Sequence, residues 1–258
     1  MKNNIINILN AAPSNIKNIL EQLDRDGILE EILPELTALK GIDKTKSSYH
    51  KDNYIHTLQV VENTYYATTD INIRLVSILH DIGKAKTKKW IDGVGWSFHG
   101  HELKSGEMLL PIYERLGLPM EHYNYVYKLV INHGHPVVLT NNVGETALRR
   151  FILDIGDDLV DMFLFCKCDI TTSILEKKNR YIISLERVYD SILEVIKKDK
   201  EAEWRCVITG DMIMEHYNLK PCSQVGKIKQ ELEKVIKDGV IPNEYDIAFE
   251  YMKNIKLK

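Results

Sequence analysis

The stretch Ile73-Arg74-Leu75-Val76-Ser77-Ile78-Leu79-His80-Asp81-Ile82-Gly83-Lys84 decides how the rest of the chain is read. From Ile71 to Ile82 apolar residues fall on all sides of a helical projection, and Arg74 is the only charged residue before Asp81. A helix that is apolar all round belongs inside a core. This one finishes in an adjacent imidazole and carboxylate, followed by a glycine and a lysine. An ionised aspartate in a low-dielectric interior is costly unless positive charge lies beside it. A metal ion meets that need and so does a buried salt bridge. A His-Asp pair that merely closes a core helix is the third reading, and the dipeptide alone does not choose among them.

The surrounding composition sets the frame. A chain of 258 residues with 44% hydrophobic and 28% charged residues is long enough for one large domain with a full core and a small appendage. The formal net charge of −3 argues against a strongly nucleic-acid-binding surface, though not against a local basic patch. The start, Met1 to Leu9, carries asparagines rather than a basic and then apolar leader, and no apolar run reaches the ~18–20 residues that span a bilayer. The expectation is a cytoplasmic protein without a membrane segment. The four cysteines, at 166, 168, 206 and 222, lack paired C-x-x-C spacing and read as reduced thiols, so a zinc cage around Cys166 and Cys168 is disfavoured.

Working outward, residues 1 to about 40 show helical periodicity broken at Pro13 and Asp26-Gly27, with Ser14 as a start signal. A polar turn over Ser47–Asn53 contains His50. Tyr54 to Tyr66 resumes helical spacing, with Ile55, Leu58, Val61 and Tyr65 on one face and His56 beside it. Beyond Lys84, the alternating Lys88-Lys-Trp90-Ile-Asp92-Gly93-Val-Gly95-Trp96-Ser-Phe98 reads as a short β-hairpin that delivers the chain to His101-Glu102. A helix follows from His101, and Pro111 should kink or interrupt it. Around Tyr123 to Asn132, Val126, Leu129, Val130 and His133 fall at i, i+3, i+4 and i+7, an apolar stripe with a histidine at its inner end. Gly134-His135-Pro136 breaks the chain, and Glu145 to Leu153 forms a helix with Arg149-Arg150. Met162, Phe165, Cys166 and Asp169 then repeat the device with a carboxylate. Tyr181 to Lys200 and two helices of a C-terminal tail complete the chain. The expected organisation is packing helices over 1–46, a main domain over 47–200 and a helical tail over 201–258.

Six of the nine histidines lie between residues 80 and 135. Four separate helices direct a histidine or aspartate inward (His80-Asp81, His101, His133, Asp169), and His56 could join them. Imidazoles and carboxylates together suit manganese, iron, cobalt, nickel, zinc or magnesium, so the set points to a divalent ion without naming it.

The order His56 … His80-Asp81 … His101 … His133 … Asp169 resembles the HD superfamily of metal-dependent phosphohydrolases. It is most similar to the HD domain of bacterial CCA-adding enzymes and related poly(A) polymerases. That likeness rests on His56-Thr-Leu-Gln-Val-Val, Leu79-His-Asp-Ile-Gly-Lys84, Phe98-His-Gly-His-Glu102, Ala147-Leu-Arg-Arg-Phe151 and the tail Ile208-Thr-Gly-Asp-Met … Asp238-Gly-Val-Ile-Pro-Asn243. It covers roughly residues 47 to 243. The chain has Pro221-Cys222 where that family usually has Pro-Gly, and nothing in it corresponds to the family's nucleotidyltransferase head, so nucleotide addition is not expected.

The resemblance implies an all-α fold, an HD-domain helical bundle with one short β-hairpin and a small helical C-terminal extension. It implies that His56, His80, Asp81 and Asp169 hold one divalent metal, that Asp81 bridges to a second, and that His101 and His133 serve that second ion. Asp81 and Lys84 would carry the catalysis, with Lys84 reaching the substrate phosphate, while Glu102, His135, Arg149 and Arg150 are candidate substrate contacts. The activity implied is hydrolysis of a phosphomonoester or phosphodiester of a nucleotide or nucleic-acid end, such as a 2′,3′-cyclic phosphate or a dinucleoside polyphosphate. The alternative is a non-catalytic module that binds tRNA or other RNA, or senses a nucleotide. His50, His99, His122 and His216 are left as structural or surface residues.

Overall fold

The computed structural model describes residues 2–41, 52–93, 95–141 and 143–255. The turn read over Ser47–Asn53, with His50, lies mostly outside the described residues. The chain divides into two units, Met1–Val195 and Ile196–Lys258. The first holds α1 (Lys2–Leu9), α2 (Pro13–Arg25), α3 (Ile28–Ile32), α4 (Pro34–Thr37), α5 (Asn53–Ala67), α6 (Ile71–Leu79) and α7 (Lys84–Thr87). A hairpin of β1 (Lys89–Ile91) and β2 (Gly95–Ser97) follows, then α8 (His101–Leu116), α9 (Tyr123–Asn132), α10 (His135–Leu139), α11 (Glu145–Ile155) and α12 (Leu159–Asp169). The long α13 (Leu175–Glu203) runs on past the division between the units. The second unit is completed by α14 (Gly210–Tyr217), α15 (Ser223–Lys237) and α16 (Tyr245–Lys253). The fold is all-α with a single two-stranded antiparallel hairpin among the described residues.

Helix α6 is the axis of the first unit. Asp70 caps it, its carboxylate accepting from the amides of Asn72 at 2.7 Å and Ile73 at 3.2 Å. Every residue from Ile73 to Leu79 is buried, and the helix is enclosed by α5, α9, α12 and α1. The buried Arg74 has no carboxylate in its hydrogen bonds. Its guanidinium donates to the carbonyls of Leu9 at 2.9 Å, Thr68 at 3.0 Å and Ala11 at 3.3 Å, and lies 4.1 Å over the ring of Tyr65. The N-terminal helices are thereby fastened to the central one. Asn63 on α5 donates to the carbonyl of Cys168 at 2.8 Å, holding the end of α12 against α5.

Several local expectations are corrected. The helix read as far as Ile82 ends at Leu79, with His80 as its cap residue and Asp81-Ile82 in the following turn. Pro111 does not interrupt α8, and both it and Glu107, whose carbonyl it deprives of a donor, are exposed residues. The break read at Pro13 stands, with α1 ending at Leu9 and Pro13 opening α2, where the first helical position has no intrahelical use for an amide; the cap is Ala12 and not Ser14. Pro136 likewise stands in the first turn of the short α10. Ile55 is 51% exposed, while Thr57, Val60 and Thr64 share the buried face with Leu58, Val61 and Tyr65. The hairpin is in the register Lys89↔Ser97, Trp90↔Trp96, Ile91↔Gly95.

The second unit has its own core of Ile208, Ile213, Ile228, Leu232, Ala248 and Met252. Thr209 caps α14, and the Tyr217 hydroxyl lies 2.5 Å from the Met252 carbonyl and 3.0 Å from that of Ile255. No helix among the described residues is long and apolar enough to cross a membrane.

Candidate metal centre

Each group singled out in the sequence lies at or near the end of a helix, where a side chain can turn towards the bundle axis. His56 comes from the first turn of α5, His80 and Asp81 from the end of α6, His101 from the start of α8, His133 from the end of α9 and Asp169 from the last residue of α12. The structure brings all six together. His56 Nε2 stands 3.0 Å from Asp169 Oδ1 and 3.5 Å from Asp81 Oδ2. His80 Nε2 stands 3.2 Å from Asp81 Oδ2 and 3.5 Å from Asp169 Oδ1. The other oxygen of Asp81, Oδ1, faces His101 Nε2 at 3.2 Å and His133 Nε2 at 3.7 Å. Asp81 thus presents one oxygen to each of two pairs of imidazoles. Lys84 Nζ reaches back to Asp81 Oδ2 at 2.6 Å.

The orientation of the imidazoles carries more information than their number. His80 Nδ1 lies 3.0 Å from the Ser77 carbonyl, His101 Nδ1 3.0 Å from that of Phe98, and His133 Nδ1 2.7 Å from that of Val130. A carbonyl only accepts, so Nδ1 carries the proton in each ring and Nε2 of the neutral tautomer offers a lone pair. His56 Nδ1 lies 2.8 Å from Thr171 Oγ1, a hydroxyl that can accept from it or donate to it. Nitrogen lone pairs and carboxylate oxygens converge on one another, an arrangement that repels unless a cation lies among them. Consistently, His80 Nε2, Asp81 Oδ1 and Asp169 Oδ1 are buried without a hydrogen-bond partner. Two sets of donor atoms lie close enough to share an ion, His56–His80–Asp169 and His80–Asp81–His133, and neither includes a cysteine. The residues present fit a divalent metal by donor type, by orientation and by the buried atoms left over.

The electrostatics agree. Burial by itself would push the Asp81 carboxyl up, but His80 and the Lys84 ammonium beside it hold it well below the usual carboxylate range. Asp169 is likewise depressed, its burial outweighed by His56 and His80. Burial would lower His80, yet Asp81 and Asp169 raise it to about 10. The rings of Phe165 and His80 meet edge to face at 5.3 Å, so one wall of the centre is apolar. Cys166 donates to the His133 carbonyl at 3.4 Å, and burial pushes its thiol well up.

Gly83 has a steric duty here. A Cβ on it would stand 2.3 Å from the His101 carbonyl oxygen, 2.6 Å from the Ser105 amide nitrogen and 2.9 Å from Ser105 Oγ. The Gly83 amide itself donates to Ser105 Oγ at 2.9 Å. The absence of a side chain lets the first turn of α8 lie directly on the turn after Asp81, which sets His101 against that carboxylate.

The remaining candidates lie elsewhere or further out. Glu102 Oε2 is 3.2 Å from His101 Nδ1 and belongs to the edge of the centre. Arg149 pairs with Glu145 at 3.0 Å, Arg150 is exposed on the same helix, and the exposed His135 lies 6.3 Å from the ring of Phe151. Neither of these two contacts involves the cluster. His99 is exposed, His122 pairs with Glu121 and His216 packs on Tyr217 and Phe249. The carbonyls of Ser77, Phe98 and Val130, the Thr171 hydroxyl and Ser105 escaped the sequence reading. The three carbonyls each precede their histidine by three residues, a spacing that a histidine at a helix end can signal.

Residues 53–162 match the HD domain family, a metal-dependent phosphohydrolase superfamily. Asp169 lies beyond the matched span and joins it only in three dimensions. Among curated proteins the chain is similar to "Multifunctional CCA protein" of Burkholderia multivorans, 32% identical over 148 residues, 56% of this chain and 33% of that protein. It is similar to the protein of the same description from Paracidovorax citrulli, 29% identical over 170 residues, 63% of this chain and 38% of that one. A third, from Burkholderia ambifaria, is 31% identical over 148 residues, 56% of this chain and 33% of that protein. The chain therefore spans roughly a third of the length of these relatives.

Proposed function

We propose that this chain, which carries an HD domain over residues 53–162, is a metal-dependent phosphohydrolase that cleaves a phosphomonoester or phosphodiester of a nucleotide or nucleic-acid end. The observation that carries the reading is the set of imidazoles whose Nδ1 atoms are fixed on backbone carbonyls while their Nε2 atoms face two buried carboxylates. In this reading His56, His80, Asp81 and Asp169 hold one divalent ion, and His101 and His133 hold a second across Asp81. A divalent ion in such a site lowers the pKa of bound water towards neutrality and offsets charge on phosphoryl oxygens. The protein's own part is orientation. The carbonyl of each i−3 residue holds an imidazole in its ligating tautomer, and Gly83 sets α8 close enough for His101 to face Asp81. Lys84 orders Asp81 Oδ2 and is the cation placed to take a substrate phosphate in exchange. Glu102, beside His101, is placed to accept a proton at the edge of the centre. Arg149, Arg150 and His135 carry no step.

The nucleotide character of the substrate is supported by the relatives, whose printed name refers to CCA, and a 2′,3′-cyclic phosphate or a dinucleoside polyphosphate is the expected class. The test is metal analysis of freshly purified protein with hydrolysis assays over a panel of divalent ions, run beside His80→Ala and Asp81→Ala. Metal content and hydrolysis should both vanish in the variants. Wild-type protein that holds no metal, and hydrolyses no phosphate ester with any ion of the panel, would sink the enzymatic reading. It would favour instead the second one, an RNA-binding or nucleotide-sensing module without turnover. That reading has the same relatives in its support and expects RNA binding that weakens steeply with salt.

A further inference from the structure

The β1–β2 hairpin is bracketed by the metal centre. Lys84 opens the helix that leads into β1, and β2 leads through Phe98 to His101. Its root is closed by Thr87, whose hydroxyl lies 3.2 Å from the Gly83 carbonyl and 3.4 Å from that of Phe98. Strands of three residues extend about 10 Å from this root, by the rise per strand residue.

Trp90 and Trp96 face each other across the hairpin, ring centroids 5.2 Å apart and planes at 76°. Such a pair pins the two strands, and it also leaves ring surface open. Here Trp90 is 56% exposed, Trp96 38% and Ile91 45%. A cation already sits on the pair, since Lys88 Nζ lies 4.1 Å from the centroid of Trp96. The segment from Lys84 to Phe98 holds Lys84, Lys86, Lys88 and Lys89 against the single acid Asp92, whose carboxylate is occupied by the Trp90 indole N–H at 3.0 Å. In a chain of formal charge −3 this is a concentrated positive strip. Partly exposed indole rings beside clustered lysines are what an unpaired base and its flanking phosphates require.

We infer that the hairpin is a substrate platform on which the unpaired end of a single-stranded nucleic acid stacks a base against Trp90 and Trp96, with Lys86 and Lys89 on its phosphates, so that the terminal phosphate enters at Lys84. The inference rests on the phosphohydrolase reading for what happens to that terminus, but the binding itself does not depend on turnover.

The experiment measures binding of a fluorescein-labelled oligoadenylate decamer to the full chain by anisotropy, with an abasic strand of equal length as comparison. Trp90→Leu keeps an apolar cross-strand partner and removes the π-face. It should weaken oligoadenylate binding about tenfold, on the scale of one lost base stack, and leave the abasic strand unaffected, while Trp90→Phe restores most of the affinity. Lys86→Ala with Lys89→Ala should lower the slope of log affinity against log salt by about 1.4, two phosphate contacts on a single strand. Equal affinity of wild type and Trp90→Leu for oligoadenylate, or an equal loss on the abasic strand, overturns the proposal. Hydrolysis of p-nitrophenyl phosphate, which has no base, separates the two levels. Absence of turnover in wild type with every ion counts against the phosphohydrolase reading, while the anisotropy still decides the platform.

Discussion

Replacing Gly83 by alanine tests whether the turn after Asp81 positions the centre. The added Cβ would meet the His101 carbonyl oxygen at 2.3 Å and the Ser105 amide nitrogen at 2.6 Å. Both are backbone atoms of the first turn of α8, so no side-chain rotation relieves the clash, and ordinary contact distance requires a displacement of about 1 Å. Overpacking of this kind costs ~1–3 kcal/mol. In a unit of this size that lowers Tm by about 2–4 °C per kcal/mol. The displaced turn begins with His101 itself, and metal ligands tolerate errors of only about 0.2 Å in distance. Affinity at the His101–His133 side should fall by about 10–100-fold, the loss typical when the support of a ligand is disturbed. The His56–His80–Asp169 side should change less. Far-UV circular dichroism melting and calorimetric manganese titration of metal-depleted protein read the two effects. Gly226→Ala is the comparison, since its Cβ would meet nothing within 4 Å and the glycine is on an exposed helical face. Adding Ser105→Ala to Gly83→Ala should not rescue, because the closest clashes are with backbone. A Gly83→Ala protein with wild-type melting and wild-type metal titration would refute the account of this glycine.

Three further outcomes follow from the geometry. Arg74→Leu strands the carbonyls of Leu9, Ala11 and Thr68, and at ~1–3 kcal/mol for a buried group left unsatisfied it should cost several times the average substitution; a urea midpoint checks this, and metal stoichiometry should be unchanged. Lys84→Met removes the cation 2.6 Å from Asp81, and the expectation is a raised KM for phosphate esters with metal retained, read by steady-state kinetics and metal analysis. The metal-depleted protein should lose stability at both ends of the pH range. His80, raised to about 10, contributes fully below its unfolded value near 6.5 and loses that contribution as pH climbs through about 10. Asp81 and Asp169, both depressed, contribute above the ordinary aspartate value of 3.8 and lose it as pH falls below that; urea midpoints across pH trace both limbs.

How far the sequence could be read depended on what sort of regularity each feature leaves. Apolar periodicity leaves a strong trace, so α9 was legible to its end residues and the hairpin was legible from Trp90, Asp92-Gly93 and Trp96. Stripes ending in His133 and Asp169 likewise showed which helices send a polar group inward. Exceptions to a rule were not legible: Pro111 offends an α-helix only if the carbonyl it abandons is buried, and exposure is a tertiary fact. The helix α16 went unread because only Ala248 and Met252 of its residues are buried, too few to make a stripe. The reason for Gly83 was hidden for another reason. It lies in the approach of α8, a contact between segments about twenty residues apart that no local pattern encodes. For Arg149 and Arg150, a dipeptide attractive as a phosphate clamp, the structure adds that Arg149 pairs with Glu145 a helical turn away.

The fixed tautomers bear on the metal and salt-bridge readings that the sequence left open, and they support the metal reading proposed above. A salt-bridge centre needs its imidazoles to donate from Nε2, yet Nδ1 of His80, His101 and His133 is already the donor to a carbonyl. Each ring can then give an Nε2–H only as an imidazolium, and several of these around two carboxylates and Lys84 would leave a buried excess of positive charge. One proton, on His80, with the Lys84 ammonium balances the two aspartates. A divalent ion must take the position of that proton, because a ligating nitrogen needs its lone pair. Binding of the first ion should therefore release about one proton from His80 wherever the pH lies below its folded value of about 10. Calorimetric titration in buffers of different ionisation enthalpy measures that number directly. Release should fall towards zero above that folded value, where His80 is already neutral, and His80→Ala should abolish it. Metal binding without proton release at neutral pH would mean that His80 does not hold the proton, and the charge balance argued for this centre would fail.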